Sequence, residues 1–125
     1  MLTNVDLDAM LVFHSPSTAA TLGVYSVQEP KRCGIVCVDA NHFITEFIEK
    51  PAEPKSDLAF SGIIMATPAL LDAIPEKPGA DIAFDVLPRL AGRMRAYRIP
   101  EFVLDIGTPE NYATAQKQWR AACAK

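Results

Sequence analysis

The sequence predicts one mixed α/β unit spanning residues 1–125. Three observations carry that expectation. Apolar runs rich in β-branched and aromatic residues recur along the chain, most clearly over 35–38, 43–48 and 58–65. Segments with helical spacing and capping residues precede and follow them, the clearest opening at Thr108-Pro109. No internal repeat or linker divides the chain, which is long enough for one domain with a real core.

Taken in order, Asn4 or Asp6 can cap a first helix in which Leu7, Met10, Leu11 and His14 share a face. Ser15-Pro16-Ser17 ends it. Thr18 to Val27 is rich in strand formers and stops before Pro30. Ile35 to Val38 and Phe43 to Ile48 read as two strands joined by the turn Asp39-Ala40-Asn41-His42. Leu58 to Met65 is a further buried strand. Thr67-Pro68 opens a short helix, with Thr as N-cap and Pro in the first turn, that stops before Pro75.

After the loop Glu76-Lys77-Pro78-Gly79, Asp81 caps a segment carrying Ile82, Phe84, Leu87 and Leu90 toward a core. Pro88 lies inside it, so this helix starts late or kinks. Met94 to Ile99 and Phe102 to Leu104 are short strands. In the last helix Thr108 is the cap, Pro109 occupies the first turn, and Tyr112, Ala115, Trp119 and Ala122 form one apolar stripe.

Composition narrows the function classes. Half of the residues are apolar, 22% are charged, and the net charge is −3 with both signs interspersed. No basic patch points to nucleic acid. No apolar run approaches the roughly 20 residues of a membrane helix. The first residues, Met1 to Asp6, show neither a basic region nor a signal core. The expectation is a cytoplasmic protein without membrane or nucleic-acid partners. An odd count of three cysteines, Cys33, Cys37 and Cys123, predicts reduced thiols. Cys33 and Cys37 read as small buried hydrophobes rather than a metal pair, since no His or second Cys pair completes a zinc set.

Two motifs carry candidate chemistry. Glu49-Lys50-Pro51 closes an apolar strand, because proline cannot donate to a sheet ladder. At a strand end both side chains can reach a ligand lying across the sheet edge. A carboxylate accepts hydrogen bonds from sugar hydroxyls, and an ammonium is a compact partner for phosphate. The alternative is a solvated surface pair. Asp105, at the end of Phe102-Val103-Leu104 and before Gly107, is placed to bind Mg²⁺, which takes oxygen ligands and bridges to substrate phosphates. Its alternative is a turn aspartate bonding nearby amides. Phe60-Ser61-Gly62 and Gly34 each mark either a close approach by a ligand or another backbone, or a β-bulge. His14 and His42 have no catalytic setting, and no serine sits in a nucleophile elbow.

The order of these motifs resembles the sugar-binding half of the sugar-1-phosphate nucleotidyltransferases (NDP-sugar pyrophosphorylases), in the glucose-1-phosphate or mannose-1-phosphate branch. The resemblance runs from Leu2-Thr3 and Asp6-Leu7 through Thr21–Val27, Pro30–Gly34, Glu49-Lys50-Pro51, Ser61-Gly62-Ile63, Asp81-Ile82 and Asp85–Pro88 to Leu104-Asp105-Ile106-Gly107-Thr108-Pro109-Glu110. It implies the mixed-sheet C-terminal part of a Rossmann-like nucleotidyltransferase fold, lacking the N-terminal nucleotide-binding half.

By the same resemblance Lys50 holds the sugar's phosphate and Glu49 bonds sugar hydroxyls. Gly34 and the Phe60-Ser61 backbone line the sugar pocket. Asp105 is one of two aspartates that bind Mg²⁺, and Lys50 and Asp105 are the catalytic pair. Two departures stand out. Cys33 replaces a tyrosine common in the family. The 125 residues also hold no counterpart of the glycine-rich GxGTRL loop that cradles the triphosphate, nor of the Gly-Asp pair carrying the second metal aspartate.

The implied partners are a sugar 1-phosphate and, only in a complete enzyme, a nucleoside triphosphate. The expectation is a truncated nucleotidyltransferase inactive alone, with a non-catalytic sugar-phosphate-binding or protein-interaction module as the alternative. A homo-oligomer that covers an exposed sheet edge and apolar face is expected as well.

Overall fold

The structure, a computed structural model, describes residues 1–124. Its centre is a five-stranded mixed sheet in the order β4-β3-β5-β2-β6, with β2 at Ala20–Ser26, β3 at Gly34–Val38, β4 at Ile44–Glu49, β5 at Leu58–Ala66 and β6 at Met94–Arg98. β2 pairs antiparallel with β5 and parallel with β6, and β3 pairs antiparallel with β4 and β5. A second, two-stranded antiparallel pair joins β1 (Leu2–Thr3) to β7 (Val103–Leu104). Three helices complete the elements: α1 (Leu7–Phe13), α2 (Pro68–Asp72) and α3 (Pro109–Cys123). The α/β class and mixed sheet are as the sequence predicts.

Alternation along β2 divides the molecule. Ala20, Leu22 and Val24 are buried in the main core with Val36, Ile44, Phe47, Leu58, Met94 and Ala96 from the neighbouring strands. Leu70 of α2 and Val86, Leu87 and Leu90 cover this face. The opposite face of β2 carries Thr21, Gly23 and Tyr25. There the Thr21 hydroxyl lies 2.8 Å from His14 Nδ1 at the end of α1. The Arg95 guanidinium sits 4.0 Å from the Phe13 ring centroid and donates to the Phe13 carbonyl at 2.9 Å, tying the end of α1 to β6.

The stretch 60–64 is a β-bulge, one of the two readings open to Phe60-Ser61-Gly62. Leu22 faces Ile64 and Val24 faces Phe60, so Gly23 alone opposes three residues of β5. Gly62 takes φ +88°, which a side chain would resist.

Several local expectations are corrected. Leu7 and Leu11 are 54% and 59% exposed, and only Met10 of α1 is buried. Periodicity found the helix, but a seven-residue helix seats one side chain rather than a stripe. Residues 82–90 form no continuous helix. A wide turn over Ile82–Val86 is followed by a tight one over Leu87–Leu90, because Pro88 has no N–H to give and its ring crowds the carbonyl four residues earlier. Phe84 therefore faces outward, 58% exposed. Asp81 caps as expected, accepting from the Ala83 and Phe84 amides.

Thr67 stands at the N-cap of α2, yet its hydroxyl donates instead to the Thr18 and Ala19 carbonyls. Thr108 does cap α3, accepting from Asn111 N–H at 3.2 Å. In the α3 stripe Ala115 is buried, Trp119 meets Phe102 edge-on at 5.9 Å, and Tyr112 is exposed. The outer edge of β6 is not bare either. Ala96 and Gly92 amides donate to the carbonyls of His42 and Ile44, and Phe43 bridges Arg95. The three cysteines are free as expected, but Cys33 and Cys37 are half-buried rather than core residues, and Cys123 is exposed.

Leu22, fully buried at the centre of the sheet, is the sharpest test of this packing. Leu22→Ala is expected to lower unfolding free energy by about 2–5 kcal/mol in chemical denaturation. A loss below about 1 kcal/mol would contradict the central position of β2.

Candidate functional site

Three separate returns of the chain form a cleft of about 860 Å³ on the Tyr25 side of the sheet. The first wall is the end of β2 and the segment after it, from Tyr25 to Cys33. The second is Lys50. The third is the β7–α3 junction, with Asp105, Thr108 and Asn111. A tight turn at Pro30–Arg32 swings the first wall round and presents Lys31 and Arg32 to the opening.

Lys50 arrives there through backbone geometry. β4 ends at Glu49, and Lys50 adopts φ +50°, in the left-handed region that a lysine enters at a cost of roughly 1 kcal/mol. The turn is held by Lys50 N–H donating to the Cys33 carbonyl at 2.9 Å. Pro51 behind it is buried and stops the strand, as its chemistry requires.

Asp105 lies just past β7 and is exposed to the cleft. Its Oδ1 accepts from Gly107 N–H at 3.0 Å, so the turn-aspartate bond anticipated as an alternative is present. An exposed carboxylate of this kind fits one position of a Mg²⁺ shell, which commonly takes one or two carboxylates plus substrate phosphates. Among the described residues no cluster of three or more His, Cys, Asp or Glu side chains forms a metal-binding group, so Asp105 does not stand in a complete metal site.

The remaining candidates separate from this cleft. Glu49 pairs across the ladder with Gly34, and a Cβ on Gly34 would stand 2.6 Å from Glu49 Oε2 and 2.8 Å from Phe47 Cζ. Gly34 is thus the space into which the Glu49 carboxylate folds. Burial holds the Glu49 carboxyl above its usual range, Lys50 pulls it down and Asp81 adds to the rise. Phe60 packs edge-on against Phe47 at 5.9 Å. Ser61 is buried, with its hydroxyl accepting from Ile63 N–H at 3.2 Å inside the bulge. Lys50 and Asp105 share the cleft walls; Gly34, Glu49, Phe60 and Ser61 do not line it.

The sequence does not single out Tyr25, Thr108 or Asn111 as ligand-facing. Strand alternation opposite Val24 places Tyr25 off the core face, but nothing in its spacing from Asp105 shows that they meet. Both line the same cleft. Burial pushes the Tyr25 phenol up to about 12, with the neighbouring Cys33 and Asp105 adding to the rise. Burial also raises the Cys33 thiol, reinforced by Asp105, Glu49 and Glu29 against Arg32, which keeps it in the poorly nucleophilic thiol form.

The mixed sheet and the cleft beside it define an α/β protein. Residues 1–121 match the family described as Nucleotidyl transferase, and the chain belongs to that family. It is 36% identical over 96 residues to the mannose-1-phosphate guanylyltransferase catalytic subunit beta of Drosophila melanogaster, covering 75% of this chain and 26% of the relative. It is 30% identical over 118 residues to mannose-1-phosphate guanylyltransferase 1 of Arabidopsis thaliana, covering 91% of this chain and 32% of the relative.

The structure superposes with a TM-score of 0.77 and 26% identity on a crystal structure assigned as a glucose-1-phosphate thymidylyltransferase of Bacillus anthracis, in complex with sucrose. That match covers 95% of this chain and 51% of the other. The chain therefore spans about a quarter to a third of these sequence relatives and about half of the structural one. No helix among the described residues is long and apolar enough to cross a membrane.

The Tyr25 environment has a pH consequence. The folded state keeps the phenol proton to about 12 against an ordinary 10.0, so the associated stability is complete below pH 10 and lost as the pH climbs through 12. Alkaline unfolding of Tyr25→Phe is expected to be shallower across that window. Its absorbance titration is expected to lack one late phenol, and identical titrations for the two proteins would contradict the assignment.

Proposed function

We propose that this chain is the sugar-1-phosphate-binding portion of a nucleotidyltransferase that forms an NDP-sugar and pyrophosphate from a nucleoside triphosphate and a hexose 1-phosphate. The observation that carries this reading is the convergence of Lys50 and Asp105 on one cleft from distant parts of the sequence. The relatives named for mannose 1-phosphate and glucose 1-phosphate support the substrate class.

In this reading the sugar's phosphate oxygen attacks the α-phosphorus in line, and pyrophosphate leaves. Catalysis of such a transfer rests on alignment and charge neutralisation. Lys50 would hold and neutralise the phosphate of the sugar 1-phosphate, its ammonium projecting from a backbone turn pinned to Cys33. Asp105 would supply one carboxylate to Mg²⁺, which when bound offsets charge on phosphate oxygens. Glu49, folded over Gly34 beside Lys50, would reach sugar hydroxyls at the margin of the cleft.

The test is calorimetric titration of the chain with glucose 1-phosphate and mannose 1-phosphate in the presence of Mg²⁺. Binding is expected, and Lys50→Ala is expected to weaken it by about 10–100-fold, the range for a lost hydrogen bond to a charged group. Unchanged affinity in a folded Lys50→Ala protein would overturn the assignment.

One observation favours a second reading, a non-catalytic sugar-phosphate-binding module. The 125 residues contain no glycine-rich loop able to cradle a triphosphate. We accordingly expect binding without turnover from these residues alone. NDP-sugar accumulating when the purified 125-residue chain is given nucleoside triphosphate, sugar 1-phosphate and Mg²⁺ would refute that expectation.

A further inference from the structure

Tyr25 is the cleft residue whose chemistry the reading above leaves unused. It projects from the site face of β2, where its backbone pairs with Ala59 of β5. Its ring is half-buried, and it shares the cleft with Lys50 and Asp105. Among the described residues its hydroxyl makes no side-chain hydrogen bond, although the hydroxyls of Thr18, Ser56 and Thr67 all do. A phenol has one proton to donate, and in this setting no protein acceptor takes it.

Tyr25 lines the cleft together with Cys33, whose carbonyl anchors the Lys50 turn, and with Lys50 and Asp105 themselves. Glu49, the residue assigned to sugar hydroxyls, does not line it. Tyr25 therefore belongs to the part of the site assigned to the phosphate. A tyrosine phenol is protonated at neutral pH, so it is a donor under working conditions. A donor on a rigid central strand needs little reorganisation to meet an anion.

We infer that Tyr25 is a further ligand-contacting residue of this cleft, its phenol donating a hydrogen bond to a phosphate oxygen of the sugar 1-phosphate held by Lys50. The inference rests on the reading of the cleft given under Proposed function. It assigns affinity, rather than choice of sugar, to Tyr25, because both hexose 1-phosphates present the same phosphate.

The experiment compares wild type, Tyr25→Phe and Lys50→Ala by calorimetric titration with glucose 1-phosphate and mannose 1-phosphate, with circular dichroism as the check on folding. Tyr25→Phe removes one oxygen and keeps the ring, so the fold is expected to survive. Its affinity is expected to fall about tenfold, the effect of one net hydrogen bond to a charged acceptor, and by a similar factor for both sugars. Ligand addition is also expected to perturb the tyrosine absorption of the wild type, with that signal missing from Tyr25→Phe.

Affinity in Tyr25→Phe equal to wild type, or a loss confined to one sugar, would overturn the inference while leaving the Lys50 assignment standing if Lys50→Ala still weakens binding. A folded wild type that binds neither sugar phosphate would overturn both.

Discussion

The pairing of β2 on both of its edges is the constraint on which the rest of the structure depends. One strand holds β5 antiparallel on one side and β6 parallel on the other, so its two faces are committed to different tasks. Leu22 and Val24 must enter the core, which leaves Thr21 and Tyr25 on the opposite side. A one-residue slip would exchange the two sets. The bulge opposite Gly23 absorbs the extra residues of β5, so Val24 and Leu22 both remain in register with inward-facing partners.

The cleft inherits its geometry from that strand but needs two further contacts. One is the backbone bond from Lys50 to the Cys33 carbonyl, which places the lysine beside the segment following β2. The other is the β1–β7 pair, which delivers Asp105 to the same place. Neither contact buries much apolar surface. Their worth lies in positioning, since charges a few ångströms apart act on one another and on a ligand far more strongly than charges on separate surfaces. Burial is the main cause of the raised Tyr25 phenol and Cys33 thiol, and Asp105 adds to both.

The same economy explains the features that resist a catalytic reading. Ser61 and Phe60 belong to the packing of the bulge and of Phe47, and Gly34 exists to admit the Glu49 carboxylate. The helix α1 contributes a single buried methionine and is held instead through Arg95 and His14. Such short elements are secured by polar ties at their ends rather than by broad apolar faces, and for that reason their periodicity overstates their burial.

Local chemistry along the sequence was sufficient for the strand hairpin, the end of β4 at Pro51, the Asp81 cap and the start of α3 at Thr108-Pro109. Each depends on residues within a few positions of one another. The candidate residues Lys50 and Asp105 were legible as motifs because proline and glycine punctuate the chain beside them. The exposure of Leu7, Leu11 and Phe84 was not legible, nor was the breakdown of the 82–90 helix into two turns, since a helical pattern does not say what will cover it. Tyr25 was hidden for a deeper reason. Its neighbours Cys33, Lys50 and Asp105 meet it through strand pairing and a left-handed turn, which are long-range and backbone-borne. The sequence by itself determined which elements form and which charged residues end them; the tertiary structure alone decided which of those ends share a cleft, because proximity across a sheet is set by register rather than by spacing along the chain.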